Sequence, residues 1–216
     1  QNLFLLDGVP VYNVNHLLGF FSVFNPSAIK TVKLYKGGFP ARFGGRLSSV
    51  IDFNMKEGNM KKFEGEASLG IISSRLSLEG PIVKDKTSFI VSGRRTYGDL
   101  LLQPLLKLSA DNLRAGYYFY DLNAKINHIF SEKSRLYLSG YFGQDKLYVK
   151  DKSEYTTESV TYKSRNEVNI GWQNATGALR WNYLFSNKLF GNFIATYSNY
   201  NFFVSYDYRN SSSDSP

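Results

Sequence analysis

The chain has 216 residues with no cysteine, which removes disulfides, zinc–thiolate sites and thiol nucleophiles together. Its net charge of +8 is spread thinly, with Lys61-Lys62 and Arg94-Arg95 as the densest clusters, and this excludes the concentrated basic face of a nucleic-acid binder. No apolar run reaches the ~18 residues that a membrane-spanning helix needs, but spanning strands alternate and average out as mildly polar, so the mean hydropathy of −0.30 leaves them open.

The first segment, residues 1–58, is mixed in pattern. LFLLDGVPVYN reads as a strand broken by the turn dipeptide Asp7-Gly8. FNPSAIKTVKLYKGG predicts a short helix, with Asn25 as cap and Pro26 at its first position, followed by a strand over 32–36. Gly37 and Gly38 then open a Gly-rich turn that carries Arg42, Gly44, Gly45 and Arg46, and SSVIDFNMK returns to strand over 48–56. The expectation is a small α+β unit without a large apolar core of its own.

From Phe63 the pattern switches to period two. Leu122, Ala124 and Ile126 oppose Asp121, Asn123 and Lys125. Leu136 and Leu138 likewise oppose Arg135 and Ser139, and Leu179, Trp181 and Tyr183 oppose Arg180 and Asn182. This predicts antiparallel strands with one apolar and one polar face, over 63–71, 74–80, 88–96, 118–130, 135–145, 169–185 and 189–206.

A soluble sandwich would alternate in the same way. Here, however, the strands are long, and short connections (81–87, 131–134, 186–188) alternate with long ones (97–117, 146–167). Phe89, Phe130, Trp181, Phe185 and Phe190 gather beside the short turns, where an interfacial aromatic girdle belongs. Charges such as Glu79, Lys125, Arg135 and Arg180 share the polar face, which suits a wide, wet or plugged lumen better than a dry core. LLQPLLKL is too short and Pro-broken to cross a bilayer and is expected as a helix on the first long loop. The first residue is Gln1 and the last eight, RNSSSDSP, read as a polar loop, so the chain is expected to be a fragment of a longer protein.

Chemistry-bearing motifs are few. His16 and His128 stand 112 residues apart without ligand-spaced neighbours, which gives no metal site, and His128 is expected near a turn on the apolar face. No nucleophile elbow, phosphate loop or H-E-x-x-H motif occurs, so neither enzyme chemistry nor a cofactor is expected. The Tyr-rich stretches GYYFYD and YSNYNFFVSYDY read as girdle and rim rather than as a ligand platform. Strand parity with Ser92 points Arg94 to the polar side and Arg95 away from it.

Several stretches carry a family resemblance: FLLDGVPVYN, then GFFSVFNPSAIKTVKLYKGGFPARFGGRLSSVIDFNMKEGN, then FEGEASLGIISSRLSLEGPI and KDKTSFIVSGRRTYGDL. Over roughly its first hundred residues the chain resembles TonB-dependent outer-membrane receptors, in particular the Bacteroidetes type with a carboxypeptidase-regulatory-like domain. The resemblance implies an all-β transmembrane antiparallel barrel, about 7 strands of an expected ~22, preceded by the C-terminal part of a small α+β plug domain. It implies a plug segment at 1–58 and barrel strands at 59–216. Gly37, Gly38, Gly44 and Gly45 would form the plug's turn, Arg42 and Arg46 would pair with acidic lumen groups, and Arg94 would touch the plug.

The implied function is uptake of a scarce nutrient (siderophore, glycan, peptide or similar) across the outer membrane of a Gram-negative bacterium, without covalent chemistry. TonB would couple energy through a segment not contained in these residues, and outer-membrane lipid or lipopolysaccharide would surround the wall. YKGGFPARFGGR replaces the wording of SusC/RagA glycan receptors, which argues against a SusD-like partner while another surface lipoprotein partner stays open. Two rival readings remain: a barrel subunit of a surface or secretion complex, and an aromatic-rich, carbohydrate-binding β-sandwich.

Overall fold

A computed structural model describes residues 2–44, 48–109, 112–157 and 160–214. The fold is all-β: a part of an antiparallel β-barrel wall with a small β-rich body against its inner face. The inner body comes first. Strands β1 (Leu3–Leu6) and β2 (Val9–Pro10) form a hairpin through Asp7 and Gly8, whose φ values of 50° and 87° are the two left-handed positions that a tight turn needs. β3 (Asn15–His16) and β4 (Phe21–Ser22) make a second, minimal hairpin around the 3-10 turn Leu17–Gly19. β5 (Ile29–Lys36) and β6 (Ser49–Met55) are antiparallel, and β1 lies parallel to β6, giving the order β2-β1-β6-β5.

The helix expected after Asn25 does not form. Asn25 caps a single turn, accepting from the Ser27 amide at 3.1 Å, and Ile29 already pairs with Met55 in β5. Cross-strand pairing takes the backbone bonds that a second helical turn would need. The body's core is Leu6, Val11, Val23, Phe24, Ala28 and Met55, closed by Tyr141 from the wall, with Phe24 stacked on Phe53 at 3.6 Å between centroids.

The wall is a seven-stranded antiparallel meander in strict sequence order. It comprises β7 (Glu64–Leu69), β8 (Ser73–Val83), β9 (Thr87–Thr96), β10 (Leu113–Ser131), β11 (Ser134–Thr157), β12 (Val160–Ser186) and β13 (Leu189–Asp214). Tight turns after β8, β10 and β12 share one rim, and the chain from the inner body reaches the wall there, the Asp85 amide donating to the Met60 carbonyl at 3.1 Å. Helix α1 (Gly98–Ser109) occupies the connection between β9 and β10 at the far rim.

Two expectations need correction. Of residues 146–167, expected as a long loop, 146–157 and 160–167 are the upper ribbon of β11 and β12, paired from Lys146↔Gly171 to Thr157↔Val160. Lys163–Glu154 at 3.2 Å, Ser153–Ser164 at 2.6 Å and the stacked Tyr155–Tyr162 pair hold it through cross-strand contacts. The polar tail expected after Arg209 continues as strand to Asp214, paired with Val160.

The wall's polarity is inverted relative to a water-soluble sheet. Ser77, Ser92, Asp121, Asn123, Lys125, Asn127 and Asp145 are buried, whereas Leu76, Leu78, Leu122, Leu138, Leu179 and Phe193 lie 45–52% exposed on the other face. A sandwich hides its apolar face; this wall hides its polar one.

Candidate functional site: a buried charge cluster between inner body and wall

The hidden polar face is where the inner body docks, and its centre is His16. The side chain is 1% exposed and bridges two wall carboxylates, with Nε2 at 2.7 Å from Asp121 and Nδ1 at 2.5 Å from Asp145. Asp121 on β10 and Asp145 on β11 project to the same face because both occupy odd positions of strands whose even positions point outward. The imidazole stacks on Phe119, its ring 4.0 Å away and 3° from parallel.

Both carboxylates are otherwise well held. Arg94 donates Nε to Asp121 at 2.8 Å, makes a second bond from Nη2, and also reaches the Ser22 carbonyl of the inner body at 2.7 Å. Tyr141 donates to Asp121 at 3.0 Å, Tyr117 donates to Asp145, and the Leu17 amide donates to the Tyr117 hydroxyl at 2.6 Å.

The geometry fixes the charge of the histidine. A neutral imidazole has one N–H, whereas both ring nitrogens here face acceptor-only carboxylates, so the cation is the form that satisfies them. Burial works against that charge, but the bonds and fields of Asp121 and Asp145 outweigh it and raise the His16 pKa above 6.5. The cluster of Asp121, Asp145, Arg94 and cationic His16 is then electrically balanced in a site that water does not reach.

Two further ion pairs pin the body. Lys125 on β10, 6% exposed, pairs with Asp7 at 2.9 Å and donates to the Met55 carbonyl at 3.3 Å, while Arg180 on β12 donates to the Asp7 carbonyl at 3.0 Å. Arg135 on β11 pairs with Glu57 at 2.8 Å. Neutral bonds add to these: Asn25 to Ser92 at 2.8 Å, Asn174 to the Asn13 carbonyl at 3.2 Å, and Ser198 to the Pro10 carbonyl at 2.7 Å. Wall strands from β9 to β13 thus all grip the body.

Among the residues singled out in the sequence, Arg94 lies inside this cluster. Gly37 and Gly38 have φ of 64° and 53° and open space around them, so the left-handed backbone explains glycine there. Gly44 is exposed. Arg42 does not meet an acidic wall group: it is exposed, makes no ion pair among the described residues, and sits over its neighbour Phe43 at 4.7 Å. Gly45 and Arg46 lie outside the described residues. His16 was missed because its partners stand 105 and 129 residues away. The available signal was the two acids, Asp121 and Asp145, at inward parity on neighbouring strands.

No protein-family model and no curated protein matches the sequence. Among solved structures, the chain is similar to the siderophore receptor PirA from Acinetobacter baumannii, at 12% identity and a TM-score of 0.44, covering 90% of this chain and 39% of that one. It is also similar to a mutant of the ferric enterobactin receptor PfeA from Pseudomonas aeruginosa, at 16% identity and 0.47, covering 92% and 37%. A third similarity is to the siderophore receptor PirA from Pseudomonas aeruginosa, at 13% and 0.45, covering 97% and 43%. The chain spans about two-fifths of the length of these receptors.

Proposed function

We propose that this chain contributes the plug C-terminus (1–58) and the first barrel strands (59–216) of a TonB-dependent outer-membrane receptor of the Bacteroidetes type, which imports a scarce nutrient ligand. The observation that carries the reading is the inverted polarity of the wall, together with the ion-paired body on its inner face. An apolar outer face belongs in lipid, and a lumen filled by a separately folded body belongs to a wide barrel.

The outer band has a fitting height. Along β10 its outward positions run from Phe130 to Tyr120, about ten residues, or ~25 Å at a tilt near ~40°, which matches the apolar band of outer-membrane barrels. Trp181, Phe185 and Phe193 crowd one edge of it. In this reading the turn at Gly37, Gly38, Gly44 and Gly45, with Arg42 and Arg46, is a plug apex, and Arg94 is a plug-to-wall contact. Ligand binding and TonB-transmitted force would act on the docked body and leave covalent bonds untouched.

The two tryptophans test this directly. Trp181 is 39% exposed on the outer face and Trp172 is 9% exposed on the inner one. In variants of the full-length protein that keep Trp181 or Trp172 as their single tryptophan, placed in brominated-lipid vesicles, Trp181 should be strongly quenched and Trp172 spared. Equal quenching of the two, or a monodisperse detergent-free protein, would overturn the reading.

A further inference from the structure

The wall's polarity reverses above the docked body. Strands β11, β12 and β13 pair without a bulge through this level, so the face that carries Asp145, Asn174 and Ser198 continues upward on every second residue. Lower down that face is polar and holds the body. Higher up its cross-strand rows read Leu147, Ile170, Val204 and then Val149, Val168, Tyr206. Leu147, Val149, Val204 and Tyr206 are 39–68% exposed. The stretch YSNYNFFVSYDY, expected as girdle and rim, therefore turns Val204 and Tyr206 to the inner side.

Charge sorts the same way. The Lys and Arg residues of these strands above the body, from Arg114 and Lys146 to Arg209, all stand on the opposite face. There Lys150 and Arg165 pair with Glu167, and Arg209 pairs with Asp207. Among the described residues of these segments, Asp151 is the one charge on the inner side. The body adds an aromatic at the foot of the rows. The Leu17 amide donates to the Tyr117 hydroxyl at 2.6 Å, and Tyr117 is the cross-strand neighbour of Leu147. Phe20, 82% exposed, belongs to the same turn, its amide donating to the Leu17 carbonyl at 3.2 Å.

We propose that the cargo is an uncharged molecule with an apolar body, held against Leu147, Val149, Val168, Ile170 and Val204 with Phe20 beneath it. The inference names a cargo class for the receptor reading above and rests on that reading. An anion would meet no cation on this face and would lose hydration without return. With the Trp172–Phe202 row below, the patch measures about 13 Å along the strands and about 14 Å across β10 to β13, roughly 200 Å². A protein partner needs ~800 Å² on each side, so a small molecule is the occupant that fits.

The test uses full-length protein in lipid nanodiscs, with the signal of empty discs subtracted. The probes are N-phenylnaphthylamine, which is uncharged, and anilinonaphthalenesulfonate, the same rings with a sulfonate added. The parent should bind the amine saturably and roughly tenfold more tightly than the sulfonate. Val168→Ser/Val204→Ser should weaken the amine roughly 30-fold and Phe20→Ser roughly tenfold, because each removes apolar contact area. Val204→Arg should lose the amine and gain the sulfonate roughly tenfold, which a misfolded ribbon would not do. Lys152→Gln, on the opposite face, should alter neither probe. Sulfonate binding as tightly as the amine in the parent, or amine binding untouched by Val168→Ser/Val204→Ser, would refute the assignment. Absence of saturable amine binding in a protein whose Trp181 is quenched by brominated lipid overturns only this site, whereas an unquenched Trp181 overturns the receptor reading itself.

Discussion

Replacing His16 by alanine tests whether the charge cluster holds the inner body to the wall. The substitution removes the only inner-body cation from a site where Asp121 and Asp145 are 2% and 1% exposed, leaving two carboxylates against the single guanidinium of Arg94. Breaking a buried ion pair costs about 3–5 kcal/mol, and losing the stack on Phe119 adds about 0.5–1.5 kcal/mol. Proton uptake by one of the orphaned carboxylates limits the total, so we expect about 4 kcal/mol near neutral pH.

The assay is hydrogen exchange in the full-length protein, read at amides 15–24, which include the Leu17 amide bonded to Tyr117. Their protection should fall roughly 1,000-fold. Adding Asp145→Asn to His16→Ala restores the balance between Asp121 and Arg94 and should recover much of the loss. The pH dependence has a definite sign. Because the His16 pKa is raised in the folded protein, its contribution is fully present below about pH 6.5 and is lost as pH rises through the raised value. The groups facing the ring are Asp121, Asp145, Tyr117, Tyr141 and Arg94. Protection in the parent that stays flat between about pH 5 and about pH 9, or a tenfold or smaller loss in His16→Ala, would refute the cationic assignment.

Lys125→Met should strand the Asp7 carboxylate and lower stability to urea by about 3–5 kcal/mol, while Asp7→Asn/Lys125→Met recovers most of it. Gly58→Ala should be disproportionately harmful for the gain of one methyl group at a half-buried glycine: φ is +81° and the added Cβ would collide with the Phe89 backbone, so about 2–4 kcal/mol is expected from the melting shift. Cysteines placed at Ser153 and Lys133 report sidedness, since the first lies on the far ribbon and the second in a short turn. An impermeant thiol reagent on intact cells should label only the first, and the reverse would invert the topology.

The alternation of Leu122, Lys125, Leu136, Arg135, Leu179 and Arg180 was enough to assign inner and outer faces, because the proposed bilayer outside and the charged body inside both act on every second residue. The same rule explains the failure at 146–167. Beyond the apolar band nothing demands an apolar face, so Lys150, Glu154 and Lys163 appear on a strand that looks like loop. The turn at Asn25 carries all the local signals of a helix start, and only the distant pairing of Ile29 with Met55 ends it. His16 was illegible for a related reason: its environment is assembled entirely from residues on another part of the chain.

The parallel pairing of β1 with β6, Leu3↔Val50 through Leu6↔Phe53, has a mechanical meaning. A pull on the chain ahead of Leu3, resisted where β6 leaves for the wall after Met55, draws the two strands past each other lengthwise. Every hydrogen bond in the pair then carries load together, whereas a hairpin pulled at its open end would break its rungs one by one. Tension arriving from that side would therefore reach the buried carboxylates around His16 before the strand peeled away.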